Sequence, residues 1–153
     1  MSETTREIKV PIGLDIIEEH IPHRFPFRFL DEIVVFEDRV RAVGKYTVTG
    51  EEDLFRGHFP GRPIFPGVIM LEALAQLGVF FAKYCTGGTP PDRLIVFMGA
   101  DEVRFRKAVV PGDTLFIGMQ NWKKKGRFWK LDGEIKVKED VVMTATISAA
   151  EID

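Results

Sequence analysis

One short stretch concentrates the residues that could do chemistry. It reads Gly57-His58-Phe59-Pro60-Gly61-Arg62-Pro63-Ile64-Phe65-Pro66-Gly67, and an apolar run, Val68 to Ala82, follows it. That run carries only two polar side chains, Glu72 and Gln76. They stand four apart, so in a helix they share a face. A histidine on a turn and a carboxylate in the helix behind it form a candidate acid–base pair. His58 has the imidazole that is available as a base near neutral pH. Glu72 suits the acid if burial among Met70, Leu71, Ala73, Leu74, Ala75 and Leu77 disfavours its charge and raises its pKa, which is the expectation here. The first N–H groups of the helix, on Gly67 and Val68, lack intrahelical acceptors and sit at the positive end of its dipole. They could hold a developing oxyanion, and Gly67 has no side chain to obstruct it.

Each residue also has a plainer reading. Glu72, Gln76 and Lys83 recur at helical spacing and read equally as a solvent stripe. His58 could be a loop histidine packed beside prolines. Three prolines and rigid, uncluttered backbone around it favour a site over packing alone. His20 and His23 form an H-x-x-H pair, but no Cys, Asp or Glu set stands at ligand spacing. We expect no metal, and read His23 as a structural hydrogen bonder. Cys85 is the single cysteine, so no internal disulfide can form. It reads as a packed thiol at the helix end.

These side chains need elements to position them. Pro66 suits the first helical position. The helix then runs to about Tyr84–Gly88, where Gly87-Gly88 and Pro90-Pro91 stop it. Residues 1–10 are polar and read as a flexible tail, and residues 11–153 as one domain. Ile12 to His20 predicts a short helix capped near Asp15 or just before it. Ile21-Pro22-His23-Arg24-Phe25-Pro26-Phe27 predicts an extended, aromatic-rich segment. Strands are predicted over Phe29–Phe36, Val40–Thr49, Leu94–Phe105 (with Gly99 marking a bulge), Thr114–Trp122, Trp129–Val137 and Val141–Ile152. Lys123-Lys124-Lys125-Gly126-Arg127 reads as a hairpin tip. The pattern is α+β. A long apolar helix needs apolar cover on nearly every side, and a curved antiparallel sheet wrapped round it would supply that.

The bulk numbers narrow the class. A chain of 153 residues suits one domain with one core. A net charge of −2 offers no global basic field for nucleic acid. The start, Met-Ser-Glu-Thr-Thr-Arg-Glu, lacks a basic segment followed by an apolar one, so no signal peptide is expected. The Val68–Ala82 run reads as too short and too polar for a membrane span. A cytoplasmic protein is the expectation.

The sequence Gly57-His58-Phe59-Pro60-Gly61-Arg62-Pro63-Ile64-Phe65-Pro66-Gly67-Val68-Ile69-Met70-Leu71-Glu72-Ala73-Leu74-Ala75-Gln76 resembles the signature of the β-hydroxyacyl-acyl carrier protein dehydratases of type II fatty acid synthesis. The blocks at residues 21–27 and 104–113 extend the resemblance, in the expected order, over roughly residues 20–150. It implies a hotdog fold, a homodimer often assembled into a trimer of dimers, and sites built from two subunits. It implies His58 as base, Glu72 as acid, the Gly67 N–H as oxyanion donor and Gln76 as support for the glutamate. No cofactor is implied. A related branch that also isomerises the double bond carries aspartate where Glu72 stands, so glutamate favours the plain dehydratase.

The expected activity is dehydration of a (3R)-hydroxyacyl chain on acyl carrier protein to the trans-2-enoyl form. A thioesterase on the same fold, or a non-catalytic acyl-binding or assembly subunit, are the alternatives. The His58 turn argues against the first, and His58 with Glu72 against the second. The carrier protein is acidic, and residues 104–130 hold eight cations against Asp113 alone. Arg104, Arg106 and Lys107 are candidate carrier contacts, equally readable as a charged sheet face. For Lys123–Lys125 a solubilising tip is the preferred reading.

Overall fold

The computed structural model describes residues 8–88 and 93–153. Pro90-Pro91 and the first seven residues of the expected tail lie outside that range. Ile8, at the end of that tail, packs against the core. In chain order the elements are helix α1 (Leu14–His20), strands β1 (Glu32–Glu37) and β2 (Arg41–Thr47), a 3-10 turn at Asp53–Arg56, and helix α2 (Gly67–Thr86). Strands β3 (Leu94–Phe105), β4 (Thr114–Lys125), β5 (Phe128–Val137) and β6 (Asp140–Ile152) follow. All six strands form one antiparallel sheet in the order β1-β2-β4-β5-β6-β3.

The sheet wraps α2 because alternate strand residues face it. Leu115, Ile117 and Met119 on β4, Trp129, Leu131 and Ile135 on β5, and Met143, Ala145 and Ile147 on β6 are buried with it. From Leu77 to Ala82 every helix residue is buried. Burying each large apolar side chain stabilises by about 1.5–3 kcal/mol, which is why so apolar a helix belongs at the centre. The close fit depends on Gly133. A Cβ there would lie 2.9 Å from a methyl of the fully buried Leu74. By length and composition α2 could cross a membrane, because the helix is 20 residues, longer than the Val68–Ala82 run suggested. It is mostly buried inside the protein, as the core helix of a wrapped sheet is.

Several local expectations shift. Pro66 is the N-cap and not the first helical residue; its ψ of 134° is extended, while its carbonyl already accepts from Ile69 and Met70 N–H. Gly87 ends the helix in the left-handed region, where it has no Cβ to clash. The segment after α1 is not extended throughout: the Phe27 N–H bonds the Arg24 carbonyl and closes a turn over Phe25-Pro26. The first strand begins at Glu32, later than Phe29, because the Phe29 N–H is taken by a helix side chain. The bulge at Gly99 is present as a register shift between Phe97 and Gly99. The β4–β5 tip is shorter than predicted. Lys123, Lys124 and Lys125 are strand residues opposite Lys130, Trp129 and Phe128, and only Gly126-Arg127 turns the chain. Lys124 Nζ stands 5.2 Å from the centre of the Trp129 ring on the facing strand, a cation–π contact that favours the pairing.

Candidate active site

His58 sits on a loop that its sequence makes rigid. Phe59 and Arg62 exchange two backbone hydrogen bonds, of 3.0 and 2.9 Å, around Pro60-Gly61. Proline followed by a glycine at φ +74° is the pattern of a type II turn. Beyond it, the Ile64 N–H bonds the His58 carbonyl, and the Phe65 N–H bonds the carbonyl of Val109 at 2.7 Å. The second bond ties the loop to the segment after β3. The His58 ring stacks on Phe59 with centroids 4.0 Å apart. Its Nδ1 lies 2.7 Å from the Ile64 carbonyl oxygen. A carbonyl only accepts, so Nδ1 carries the proton and Nε2 keeps its lone pair for use as a base.

The residues preceding this loop are held just as firmly. Glu52 accepts hydrogen bonds from the Thr49 and Gly50 N–H groups, the Thr49 hydroxyl and the Tyr46 hydroxyl. Burial pushes its pKa up, but donors from the backbone and Thr49 outweigh this and hold it below the usual glutamate range. In sequence Gly50–Asp53 reads as a polar loop with room for one helical turn, and the 3-10 turn at Asp53–Arg56 begins there; a Glu two or three residues after Thr-Gly is the signal for the Glu52 contacts.

A groove of about 420 Å³ opens beside His58, lined also by Gly67, Val68, Met70, Phe105, Arg106 and Lys107. The Gly67 and Val68 N–H groups at the start of α2 have no acceptor among the described residues. The Phe105 ring lies over Gly67, 2.8 Å from where a Cβ would stand. Of the three predicted carrier contacts, Arg106 and Lys107 border this groove, and Lys107 also pairs with Asp140 at 2.9 Å. Arg104 is on β3 opposite Thr144 and is not part of the groove lining.

Glu72 belongs to a second cluster. Gln76 Nε2 donates to Glu72 Oε1 at 3.1 Å and to the Phe27 carbonyl at 2.9 Å, while its own Oε1 accepts from the Phe29 N–H at 2.8 Å. Gln76 is fully buried, so the solvent-stripe reading fails for it. His23 Nε2 stands 3.4 Å from Glu72 Oε1. The expectation that burial raises the Glu72 pKa is overturned. Burial does push it up, but the contacts from His23 and Gln76 favour the carboxylate and hold it below the usual glutamate range. The apolar sequence neighbours of Glu72 point elsewhere on the helix, and its actual neighbours come from residues 23–29. Neither a hydrogen bond nor an ion pair joins His58 to Glu72 within the described residues of one chain.

Cys85 is a packed thiol as expected. It is buried, it accepts the Arg39 N–H at 3.2 Å, and burial pushes its pKa up to about 12. A thiol so protonated is a poor nucleophile.

The helix wrapped by an antiparallel sheet has counterparts among known proteins. The chain matches the FabA-like domain family over residues 21–146. It is similar in fold to the dehydratase heterocomplex ApeI:P from Xenorhabdus doucetiae, with a TM-score of 0.74 and 20% identity over 95% of this chain and 93% of that one. A hot-dog-like protein from Thermanaerovibrio acidaminovorans gives a TM-score of 0.60 and 15% identity over 74% and 81% of the two chains. These define the class, a FabA-like α+β hotdog protein. Curated relatives narrow it. The 3-hydroxyacyl-acyl-carrier-protein dehydratase FabZ of Paramagnetospirillum magneticum is 39% identical over 142 residues, 93% of this chain and 88% of the relative. That of Helicobacter pylori strain G27 is 35% identical over 153 residues, 97% of this chain and 96% of the relative. The chain belongs to the 3-hydroxyacyl-acyl-carrier-protein dehydratase family.

Proposed function

We propose that the chain dehydrates (3R)-hydroxyacyl groups carried on acyl carrier protein to trans-2-enoyl groups, with His58 as base and Glu72 as acid. The observation that carries the residue assignment is the orientation of His58. Its Nδ1 is engaged by the Ile64 carbonyl, which leaves the Nε2 lone pair free, and the residue lines the groove at the start of α2.

The chemistry follows from those positions. The thioester carbonyl oxygen lies against the Gly67 and Val68 N–H groups, where the helix dipole favours negative charge. Nε2 removes a proton from carbon 2, and charge builds on that oxygen. Glu72 gives a proton to the hydroxyl on carbon 3, which departs as water while the carbon 2–carbon 3 double bond forms. The enzyme is left with a protonated His58 and an ionised Glu72. One proton moved from Glu72 to the leaving water restores the balance of the one taken by His58. Because His58 and Glu72 lie in separate clusters of one chain, the pair is completed across a homodimer, with Glu72 of the partner subunit facing the first chain's His58. Each dimer then holds two sites. Arg106 and Lys107, at the mouth of the groove, suit the acidic carrier.

The test is hydration of a trans-2-enoyl thioester, followed by loss of enoyl absorbance. The parent should turn over, and folded His58→Ala and Glu72→Gln should each lose about 10²–10⁴-fold in kcat. Thiol release in place of hydration would assign a thioesterase. No turnover from a folded, oligomeric parent on any carrier would assign a binding subunit.

A further inference from the structure

We infer that His23 is a positioning residue: its Nε2–H and the Gln76 amide together hold Glu72 Oε1, leaving Oε2 as the oxygen that trades a proton with the substrate. The inference rests on the assignment of Glu72 as the acid and adds which atom acts and what holds it.

Three features of the geometry carry it. The first is that both polar contacts of the Glu72 carboxyl go to the same oxygen, Oε1: Gln76 Nε2 at 3.1 Å and His23 Nε2 at 3.4 Å. Oε2 has no hydrogen bond among the described residues. An oxygen already facing two N–H donors has little remaining room for a proton, whereas Oε2 has both lone pairs free. The second is that the Gln76 amide cannot turn over and the His23 backbone is held in place. Gln76 is pinned in one orientation, because its Oε1 accepts an N–H from Phe29 and its Nε2 donates to the Phe27 carbonyl. Reversing the amide would set donor against donor and acceptor against acceptor. His23 is held through its backbone. Arg24 Nη1 donates to the carbonyls of Ile21 and His23, and its Nη2 to the carbonyl of Glu18.

The third feature is the His23 tautomer. Its Nδ1 is buried and has no hydrogen-bond partner. A proton there would bury an unsatisfied donor, which costs about 1–3 kcal/mol. Whenever the ring carries one proton, that proton therefore sits on Nε2, facing Glu72. The neighbouring charges are turned elsewhere: Arg24 onto the three carbonyls, and Arg28 onto Glu18 at 2.8 Å. On α2 the polar neighbour of Glu72 is Gln76.

Donors on Oε1 stabilise the carboxylate, and a protonated His23 adds its positive charge to that, so both make Glu72 readier to give up its Oε2 proton, the direction in which its pKa lies. Removing the donor therefore raises the pH at which Glu72 loses its proton. The experiment is a ¹³C NMR titration of the Glu72 carboxyl in the full-length, assembled protein, with the resonance assigned by its loss in Glu72→Gln. His23→Phe keeps a ring but removes the N–H, and should raise the midpoint by about one pH unit. His23→Gln restores an N–H donor and should bring the midpoint back towards the parent. His23→Ala serves if the phenylalanine does not fold. In the kcat profile for hydration, the limb belonging to Glu72 should move by the same amount, which a merely structural histidine would not cause. An unmoved midpoint in both His23→Phe and His23→Ala overturns the inference. So does an equal rise in His23→Gln, which would assign the effect to the imidazole itself and not to its N–H. The titration needs no turnover, so an inactive parent would sink the proposed reaction while the clamp on Oε1 was still decided.

Discussion

Gln76 is the residue on which the two halves of the glutamate cluster meet. It spends one N–H on Glu72, and its other two bonds replace strand hydrogen bonds for Phe27 and Phe29. Gln76→Leu fills the same buried space but orphans the Phe29 N–H and the Phe27 carbonyl. Each buried polar group left without a partner costs about 1–3 kcal/mol, so urea denaturation should show a clear loss of stability. The same variant should reduce hydration, because Oε1 keeps only His23. At this scale the sequence was legible in part. Residue types and spacing single out His58 and Glu72 as candidates, and the family resemblance adds Gln76 as the support for the glutamate. The direction of the Glu72 pKa was not legible, because its partner His23 stands 49 positions away and Gln76 is itself held by Phe27 and Phe29. Local apolar context describes the helix, not the face on which one side chain ends.

Two glycines show how the elements divide stability from function. Both sit against a bulky side chain, at 2.8 Å for Gly67 with Phe105 and 2.9 Å for Gly133 with Leu74. Leu74 is fully buried between α2 and β5, so it has nowhere to go. Gly133→Ala should cost about 1–3 kcal/mol by forcing helix and sheet apart. Phe105 is 52% exposed, at the end of β3, and its ring can swing into solvent or into the groove. Gly67→Ala should therefore change stability by under about 1 kcal/mol yet lower kcat/KM, since the new methyl and the displaced ring crowd the N–H groups that open α2. Thermal unfolding and hydration kinetics on the two variants check this opposition. The elements themselves were readable where alternation was clean, as in β5. They were less so where side-chain partners override local pattern. Phe29 looks like a strand residue but bonds the helix, and Lys123–Lys125 look like a loop but remain paired because Trp129 and Phe128 hold the opposite strand.

At the scale of the molecule, the sheet order puts β3 at one edge, paired with β6 alone among the described residues. Leu94, Phe97 and Met98 on it are 54%, 45% and 57% exposed, an apolar edge suited to a second copy of the chain. Such an edge is compatible with the proposed division of His58 and Glu72 between subunits, and that proposal makes a quantitative prediction. Mix His58→Ala with Glu72→Gln under conditions that exchange subunits. Random pairing makes half of the dimers mixed. In a mixed dimer, one site joins the two defective residues and the other joins an intact His58 to an intact Glu72. One site in two is then active in half of the dimers, so activity should recover to about a quarter of the parent from two nearly inactive preparations. If each site drew both residues from one chain, every site in every mixture would carry one defect, and mixing would restore nothing. The recovered fraction therefore measures how the two clusters meet, independently of how many dimers assemble further.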